Sequence, residues 1–308
     1  MNNNGPVKVA IHCLAFNQEG YIRQCLDGFV MQKTSFRYVV IVHDDASTDS
    51  TAAIISEYAE KYPDAIKPVY EKANQWSKED GSIYRIMKDA IMQEASEGEY
   101  VAFCEGDDYW TDEFKLQKQV DFLDSHKEYG LIYSRVNVFD QEKGKVTRVG
   151  GSYVAHYKDL LINCNRIPTA TVVIRRDLFF KYFDEIGYHS WKMGDYPVWL
   201  YVAFNSNIQF EDTIFATYRV LENSSSHFQN YSKHESFENS VYDIQLFFSQ
   251  KYGVTEDEEA LLREKHFERQ FRIACQYKNY SKARLYFKEI NNKNLKMYVK
   301  YILSILKI

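Results

Sequence analysis

The run Tyr100 to Trp110, YVAFCEGDDYW, constrains this chain more than any other stretch. Five residues from Tyr100 to Cys104 read as one buried strand, and three carboxylates, Glu105, Asp107 and Asp108, follow at once. Gly106 is expected to let the backbone turn among them. Carboxylates this crowded are costly in their charged forms unless a cation lies between them, so the strand end suits a hard divalent ion held by oxygen ligands. The competing reading is a solvated acidic turn.

The chain leading up to this run alternates strands and helices. Val7 to Phe16 reads as a first strand, and Ile22, Cys25, Leu26, Phe29 and Val30 mark a helix over Tyr21 to Gln32. Tyr38 to Val42 has no polar alternation, as expected for a parallel strand covered on both faces. It runs into His43-Asp44-Asp45-Ala46-Ser47-Thr48-Asp49-Ser50-Thr51. Helix capping accounts for part of that polar cluster, since Ser, Thr and Asp satisfy the free amides of a helix N-terminus. It does not require Asp44 and Asp45 together at the strand exit, where open α/β sheets bind ligands. A helix ending at Pro63, a strand over Ile66 to Tyr70, a polar loop over 71–81 with Asn74 and Trp76, and a helix over Ile83 to Ala95 complete this half. Two strand ends therefore present paired acids. A nucleotide would use both, one for base or ribose hydroxyls and one for a metal on its diphosphate.

Three ordered motifs, the first strand ending AFN, the strand end HDDASTDST, and FCEGDDYWTDEFKLQKQVDFL, together resemble the family 2 glycosyltransferases of the GT-A fold. The resemblance covers roughly residues 7 to 220. It implies an α/β, Rossmann-like GT-A fold, with a mixed, mostly parallel central sheet flanked by helices. It also implies inverting sugar transfer from a nucleotide donor, a UDP-sugar, with Mn²⁺ or Mg²⁺ as cofactor. By resemblance, Phe16, Asn17 and Glu19 at the first strand exit bind substrate, and Asp44 and Asp45 contact base and ribose. Glu105, Asp107 and Asp108 occupy the place of the family's DxD motif, with Asp107 as metal ligand and Glu105 and Asp108 on the donor. Glu105 departs from the Asp usual at the first DxD position.

Downstream, a helix from Asp112 to His126 carries Leu116, Val120 and Leu123 on one face. Strand segments are expected at Tyr129 to Ser134 and Val136 to Phe139, followed by a hairpin turn over Gln141 to Lys145. Residues 150–168 read as irregular, and Thr169 to Ile174 as a strand. In Trp191 to Trp199, WKMGDYPVW, Gly194 and Pro197 frame Asp195 at a helix start. N-capping alone explains that placement, whereas the resemblance makes Asp195 the general base, which an acceptor hydroxyl needs in order to attack. Relatives in that family read YRxH after the next apolar run. Here Leu221 stands at that His, and His227, six residues later, is the substitute candidate for the metal or diphosphate.

Residues 236–308 read as a C-terminal helical region following a glycosyltransferase domain over 1–235. That domain divides into a nucleotide-binding part, about 1–110, and an acceptor-binding part, about 111–235. The terminal pattern of Lys293, Met297, Lys300, Ile302, Ile305 and Leu306 suits either a helix packed on the domain or peripheral contact with an anionic membrane. Thirty-eight Lys and Arg against 43 Asp and Glu, a net charge of -5, argue against nucleic acid as partner. Five scattered cysteines without CxxC spacing read as reduced thiols. With no signal-like start or membrane-length apolar run, the expected location is cytoplasmic, at most peripheral at the inner face of the membrane.

The expected partners are a nucleotide-sugar donor and a glycan or lipid-linked acceptor, in bacterial surface polysaccharide synthesis. A non-catalytic nucleotide-sugar-binding or scaffold protein is the different-class alternative. A nucleotidyltransferase would want a Gly-rich, basic phosphate loop after the first strand, and AFNQEG is neither.

Overall fold

A computed structural model describes residues 5–78, 80–222, 228 and 230–306. Two compact units are interleaved along the sequence. One holds residues through His156 with Arg166–Ser190 and Tyr201–Leu221, and the other holds Tyr157–Asn165, Trp191–Leu200 and the chain from Glu222.

The first unit is built on a nine-stranded sheet. Strands β1 (Val7–Ala15), β2 (Arg37–Asp44), β3 (Ile66–Tyr70) and β4 (Tyr100–Phe103) lie parallel in the order β3-β2-β1-β4. The sheet continues through β8 (Val173–Arg175), β6 (Tyr129–Asp140) and β9 (Asn207–Val220) to β5 (Tyr109–Trp110), while β7 (Lys145–Gly150) pairs with β6. Antiparallel joins of β8 to β4 and to β6 make the sheet mixed.

Val9, Ile11, Cys13 and Ala15 put one face of β1 into the main core. Helix α1 (Ile22–Val30) buries Ile22, Cys25, Leu26 and Phe29 there, and α4 (Lys115–Ser125) adds Leu116, Val120 and Leu123. Each such fully buried large apolar side chain contributes roughly 1.5–3 kcal/mol. Gly28 of α1 lies so close to β5 that a Cβ would meet the Trp110 backbone nitrogen at 2.9 Å. Helices α2 (Thr51–Lys61), α3 (Ser82–Glu94) and α6 (Arg176–Glu185) belong to this unit, α5 (Tyr157–Asn163) to the second, and α7 (Asp195–Asn205) begins in the second.

The structure departs from expectation in four places. Tyr129 to Asp140 is one strand, and the expected break falls at Arg135, where the register against β9 shifts. Thr169 to Thr171 forms a 3₁₀ turn before β8, because the Thr171 hydroxyl donates to the Pro168 carbonyl at 2.8 Å and accepts from Ser134 N–H at 3.1 Å. Residues 150–168 include α5, whose Tyr157, Leu160 and Leu161 are buried but whose seven residues are too short to show a period. Residues 176–185, where no element is expected, form α6, which places Leu178, Phe179, Tyr182 and Phe183 on one face and Asp177, Lys181, Asp184 and Glu185 on the other.

The second unit is helical. α8 (Tyr231–Tyr252), α9 (Glu256–Gln276), α10 (Tyr280–Glu289) and α11 (Leu295–Leu306) succeed one another, with Phe271, Ala274, Ala283, Phe287 and Ile290 at its centre. A Thr255–Glu258 capping box opens α9. Glu235 accepts hydrogen bonds from the Tyr231 and Tyr286 hydroxyls at 2.6 and 2.5 Å, tying α8 to α10. All five cysteines are free thiols.

On the sheet face opposite the main core, His12 of β1 and His43 of β2 meet edge to face with ring centroids 5.9 Å apart. Burial, reinforced by His43, pushes the His12 pKa down to about 3. A folded-state pKa depressed below the ordinary value of about 6.5 means that the unfolded chain binds the proton first, so stability is lost as pH falls below that value. At pH 5 the His12 contribution to that loss is about 2 kcal/mol. Thermal unfolding followed from about pH 7.5 to 5 should show Tm falling, and His12→Leu should flatten the dependence. An unchanged slope in the variant would contradict this assignment.

Candidate active site

The parallel strands β1, β2 and β4 end at one edge of the sheet, with Ala15 beside Asp44 and His12 beside Phe103. The loops that leave β1 and β2 brace each other. Asn17 N–H donates to the Ser47 hydroxyl at 2.9 Å, and Thr48 N–H donates to Asn17 Oδ1 at 2.7 Å. Glu19 N–H donates to Asp49 Oδ2 at 3.1 Å, and Glu19 Oε2 accepts from Ser50 N–H at 2.9 Å. Asn17 and Ala46 adopt left-handed backbone, φ 51° and 64°, which Asn tolerates and Ala does not favour. The α2 N-terminus is thus capped by Asp49, at 2.9 Å from Thr51 N–H, and by Glu19.

The two acids of the β2 exit have separate surroundings. Both are buried. Asp45 accepts from Gln75 N–H at 2.6 Å and Trp76 N–H at 3.1 Å, so its carboxylate anchors the 71–81 loop and the half-exposed Trp76 on it. Asp44 accepts from Ser47 N–H through Oδ2 at 3.3 Å, while its Oδ1 is buried without a hydrogen-bond partner. A buried acceptor left unmade costs about 1–3 kcal/mol, which a ligand N–H or O–H would recover. Phe16 is exposed at the β1 exit.

The acidic turn sits between β4 and β5. Asp108 N–H closes it on the Glu105 carbonyl at 3.0 Å, and Gly106 N–H bonds Leu14 O at 3.0 Å. Gly106 does not have positive φ. Its glycine is required for space instead, since a Cβ would come within 2.3 Å of Gln18 Oε1 and 2.8 Å of Ile22 Cδ1. The thiol of Cys25, on α1, donates to the Glu105 carbonyl at 3.4 Å. Glu105 is exposed, Asp107 half-buried and Asp108 buried.

Arg219, at the end of β9, holds this turn from the other side. Its N–H donates to Asp108 Oδ1 at 2.8 Å, and its Nε donates to the Asp107 carbonyl at 2.9 Å. The Nη1 and Nη2 groups donate to Gln141 at 2.5 Å and Gln24 at 2.7 Å, and the guanidinium lies over the rings of Tyr21 and Tyr109. Sequence reasoning gave Arg219 no role in the site. The available signal was a single cation at the end of the mostly apolar run Ile214 to Tyr218, a placement that demands oxygen partners.

Desolvation raises the pKa of Asp107. Desolvation, followed by the charges of Asp107 and Glu105, lifts Asp108 well above the usual carboxylate range. Such a donor set is short of positive charge and fits a divalent cation. Among the described residues no three His, Cys, Asp or Glu side chains gather into a complete metal cage. An ion here would rest on one or two carboxylates and complete its shell with ligand oxygens and water.

Asp195 belongs to the second unit, as the first residue of α7. Its Oδ1 accepts from Tyr196 N–H at 2.7 Å and its Oδ2 from Asn165 Nδ2 at 3.1 Å. The Tyr196 hydroxyl reaches the Leu160 and Leu161 carbonyls of α5 at 3.0 and 3.2 Å, fixing the helix start. Pro197 sits in the first turn, where its missing N–H leaves no intrahelical bond unmade. His227 lies outside the described residues.

Residues 11–183, more than half the chain, match the Glycosyl transferase family 2 model, and the protein belongs to that family. Among curated relatives, "Uncharacterized protein Rv1520" of Mycobacterium tuberculosis is 40% identical over 172 residues, 54% of this chain and 47% of its own length. The chain thus spans about half the length of that relative. "UDP-Glc:alpha-D-GlcNAc-diphosphoundecaprenol beta-1,3-glucosyltransferase WfaP" of Escherichia coli is 27% identical over 188 residues, 59% of this chain and 68% of its own. The fold is shared with the mannosyltransferase PcManGT of Pyrobaculum calidifontis, solved with GDP-Man and Mn²⁺, at TM-score 0.58 and 14% identity. That likeness covers 98% of this chain and 87% of the other.

Two outcomes follow. Asp108→Asn keeps an acceptor for Arg219 N–H but removes a desolvated charge. An acid with a raised folded-state pKa lowers stability as pH rises through that pKa, so at about pH 8 the variant should melt about 2–4 °C higher. It should also lose any Mn²⁺-dependent UDP binding that calorimetry finds in the wild type, and a lower Tm with intact binding would contradict the electrostatic account. Arg219→Gln should weaken any such binding about tenfold or more by releasing the turn, and wild-type affinity would remove Arg219 as its brace.

Proposed function

We propose that the protein is an inverting glycosyltransferase that moves a sugar from a nucleotide donor, a UDP-sugar, to a hydroxyl of a glycan or lipid-linked acceptor in bacterial surface polysaccharide synthesis. The observation that carries this reading is the cation-poor pair Asp107 and Asp108 at the β4 exit, on the same sheet edge as the unpartnered Asp44 Oδ1. Family membership and the likeness to WfaP and PcManGT support it.

In this reading residues about 1–110 bind the nucleotide and about 111–235 the acceptor, with 236–308 as a helical region. Asp44 accepts from the base, and Phe16, Asn17, Glu19 and Asp45 shape the nucleoside pocket, directly or through the loops they hold. Asp107 is the metal ligand, and Glu105 and Asp108 line the donor. When bound, Mn²⁺ or Mg²⁺ would neutralise the departing diphosphate. Asp195 is the general base: its carboxylate takes the acceptor proton as the hydroxyl oxygen bonds to the anomeric carbon, the bond to the diphosphate oxygen breaks, and configuration inverts. The bonds from Asn165 and Tyr196 N–H orient that carboxylate.

Asp195→Asn preserves the shape of the side chain and removes its basicity. Transfer from a screened UDP-sugar should fall by about 10²–10⁴-fold, while Mn²⁺-dependent UDP affinity measured by calorimetry stays within about twofold. Full transfer in the variant would exclude Asp195 as the base, and no UDP binding by the wild-type protein would favour the scaffold reading.

A further inference from the structure

The last helix, α11, carries apolar side chains on both of its faces. Its inner face packs through Met297, buried, and Tyr301, whose ring stacks on Phe287 of α10 at 4.1 Å. Ser304 is buried on the same side, and its carbonyl accepts from Arg284 Nη1 at 2.9 Å. The outer face is also apolar. Leu295 is 80% exposed, Ile302 and Ile305 52%, Tyr298 and Val299 48%, and Leu303 41%.

At about 3.6 residues per turn, Leu295, Val299 and Ile302 run along the centre of that outer face. Tyr298 and Ile305 form one edge and Leu303 the other. Together these apolar side chains form one unbroken exposed patch, a pattern that marks an interaction site. No helix among the described residues is long and apolar enough to cross a membrane.

Charge selects the occupant. Residues 281–306 hold Lys282, Arg284, Lys288, Lys293, Lys296 and Lys300 against the single acid Glu289, within a chain of net charge -5. Lys296 is exposed and Lys300 half-buried, and both fall on the flank next to Leu303. Lys288 is exposed on α10, whereas Lys282 is paired with Glu235 at 3.1 Å. An apolar face with lysines along its border matches an anionic bilayer, in which apolar side chains enter the acyl boundary and ammonium groups stay among the headgroups. A second copy of the chain fits less well. An isologous pairing through this face would join about six side chains from each copy, short of the roughly 20–30 residues a side in a stable interface, and would supply no acid to the lysines.

We propose that the outer face of α11 is a peripheral membrane-binding surface, inserting Leu295, Val299 and Ile302 into an anionic leaflet with Lys296 and Lys300 at the headgroups. The inference does not depend on the glycosyltransferase reading, because its readout is vesicle binding without donor or acceptor.

The test is co-sedimentation of the full chain with phosphatidylcholine vesicles, with and without about one-third phosphatidylglycerol, whose anionic headgroups attract lysines near the surface. Binding should be at least about tenfold tighter to the anionic vesicles and should weaken with salt. Ile302→Glu, an exposed change that should leave the circular dichroism spectrum and Tm as they were, should reduce that binding about tenfold or more. Lys296→Glu with Lys300→Glu should abolish the preference for anionic lipid. The proposal is overturned if the wild-type chain binds neither vesicle, or if Ile302→Glu binds as wild type. Sedimentation equilibrium showing a dimer that Ile302→Glu dissociates, without vesicle binding, would assign the face to a second copy instead.

Discussion

Arg219 reaches the acidic turn twice, through its backbone N–H to Asp108 Oδ1 and through Nε to the Asp107 carbonyl. Its guanidinium bonds go to neutral oxygens, on the Asp107 main chain, Gln141 and Gln24. The cation therefore steadies the backbone of the turn without a direct guanidinium bond to its carboxylates. A Lys at 219 would supply charge but not the fork that spans these oxygens. The consequence is a rigid turn whose acids remain short of positive charge, with the Asp108 pKa held well above the ordinary carboxylate range. Stability is given up at this point, and the oxygens of the turn are held in a preformed set.

The same division between bracing and binding runs along the rest of the sheet edge. The polar side chains of Asn17, Glu19, Asp45 and Asp49, near the strand exits, are engaged with backbone amides of neighbouring loops. Asp44 alone of the β2 pair keeps a buried oxygen without a partner. A charged group buried beside the loop it serves is held in one orientation, and an acceptor on such a support needs little reorganisation to receive a ligand. The Cys25 thiol and the close approach of Gly106 to Ile22 add contacts from α1 beneath the turn. The acidic edge of the sheet is therefore organised as much by α1 and β9 as by the strands that carry its acids.

The strands and helices through Trp110 were legible because they alternate simply: apolar runs for strands covered on both faces, helical spacing for the segments between them. The acidic strand ends were legible for the same reason, since charge breaks sharply from those runs. What could not be read was long-range. Asp44 and Asp45 are the same residue type side by side, yet the amides of Gln75 and Trp76, about 30 residues away, reach only the Asp45 carboxylate. Arg219 and Asp108 lie 111 residues apart and meet only through the pairing of β5 with β9. The 3₁₀ turn at Thr169 was missed on local grounds, a threonine hydroxyl that engages nearby backbone groups.

Charge also separates along the chain. The acids at the sheet edge lie in the first unit, whereas the basic excess of residues 281–306 lies in the second, on and beside α11. A uniform mixture of the same residues would give neither a cation-hungry turn nor a lysine-bordered apolar face. The separation acts at short range, because screening at physiological salt limits fields to about 8 Å. As proposed, each local surplus takes its own partner: a small cation at Asp107 and Asp108, and an extended anionic surface at Lys296 and Lys300. An extended partner can lower the free energy of the α11 face only if it also accepts apolar side chains, since lysines alone would leave Leu295, Val299 and Ile302 in water. That joint requirement is what distinguishes a bilayer from a soluble polyanion as the answer to this face.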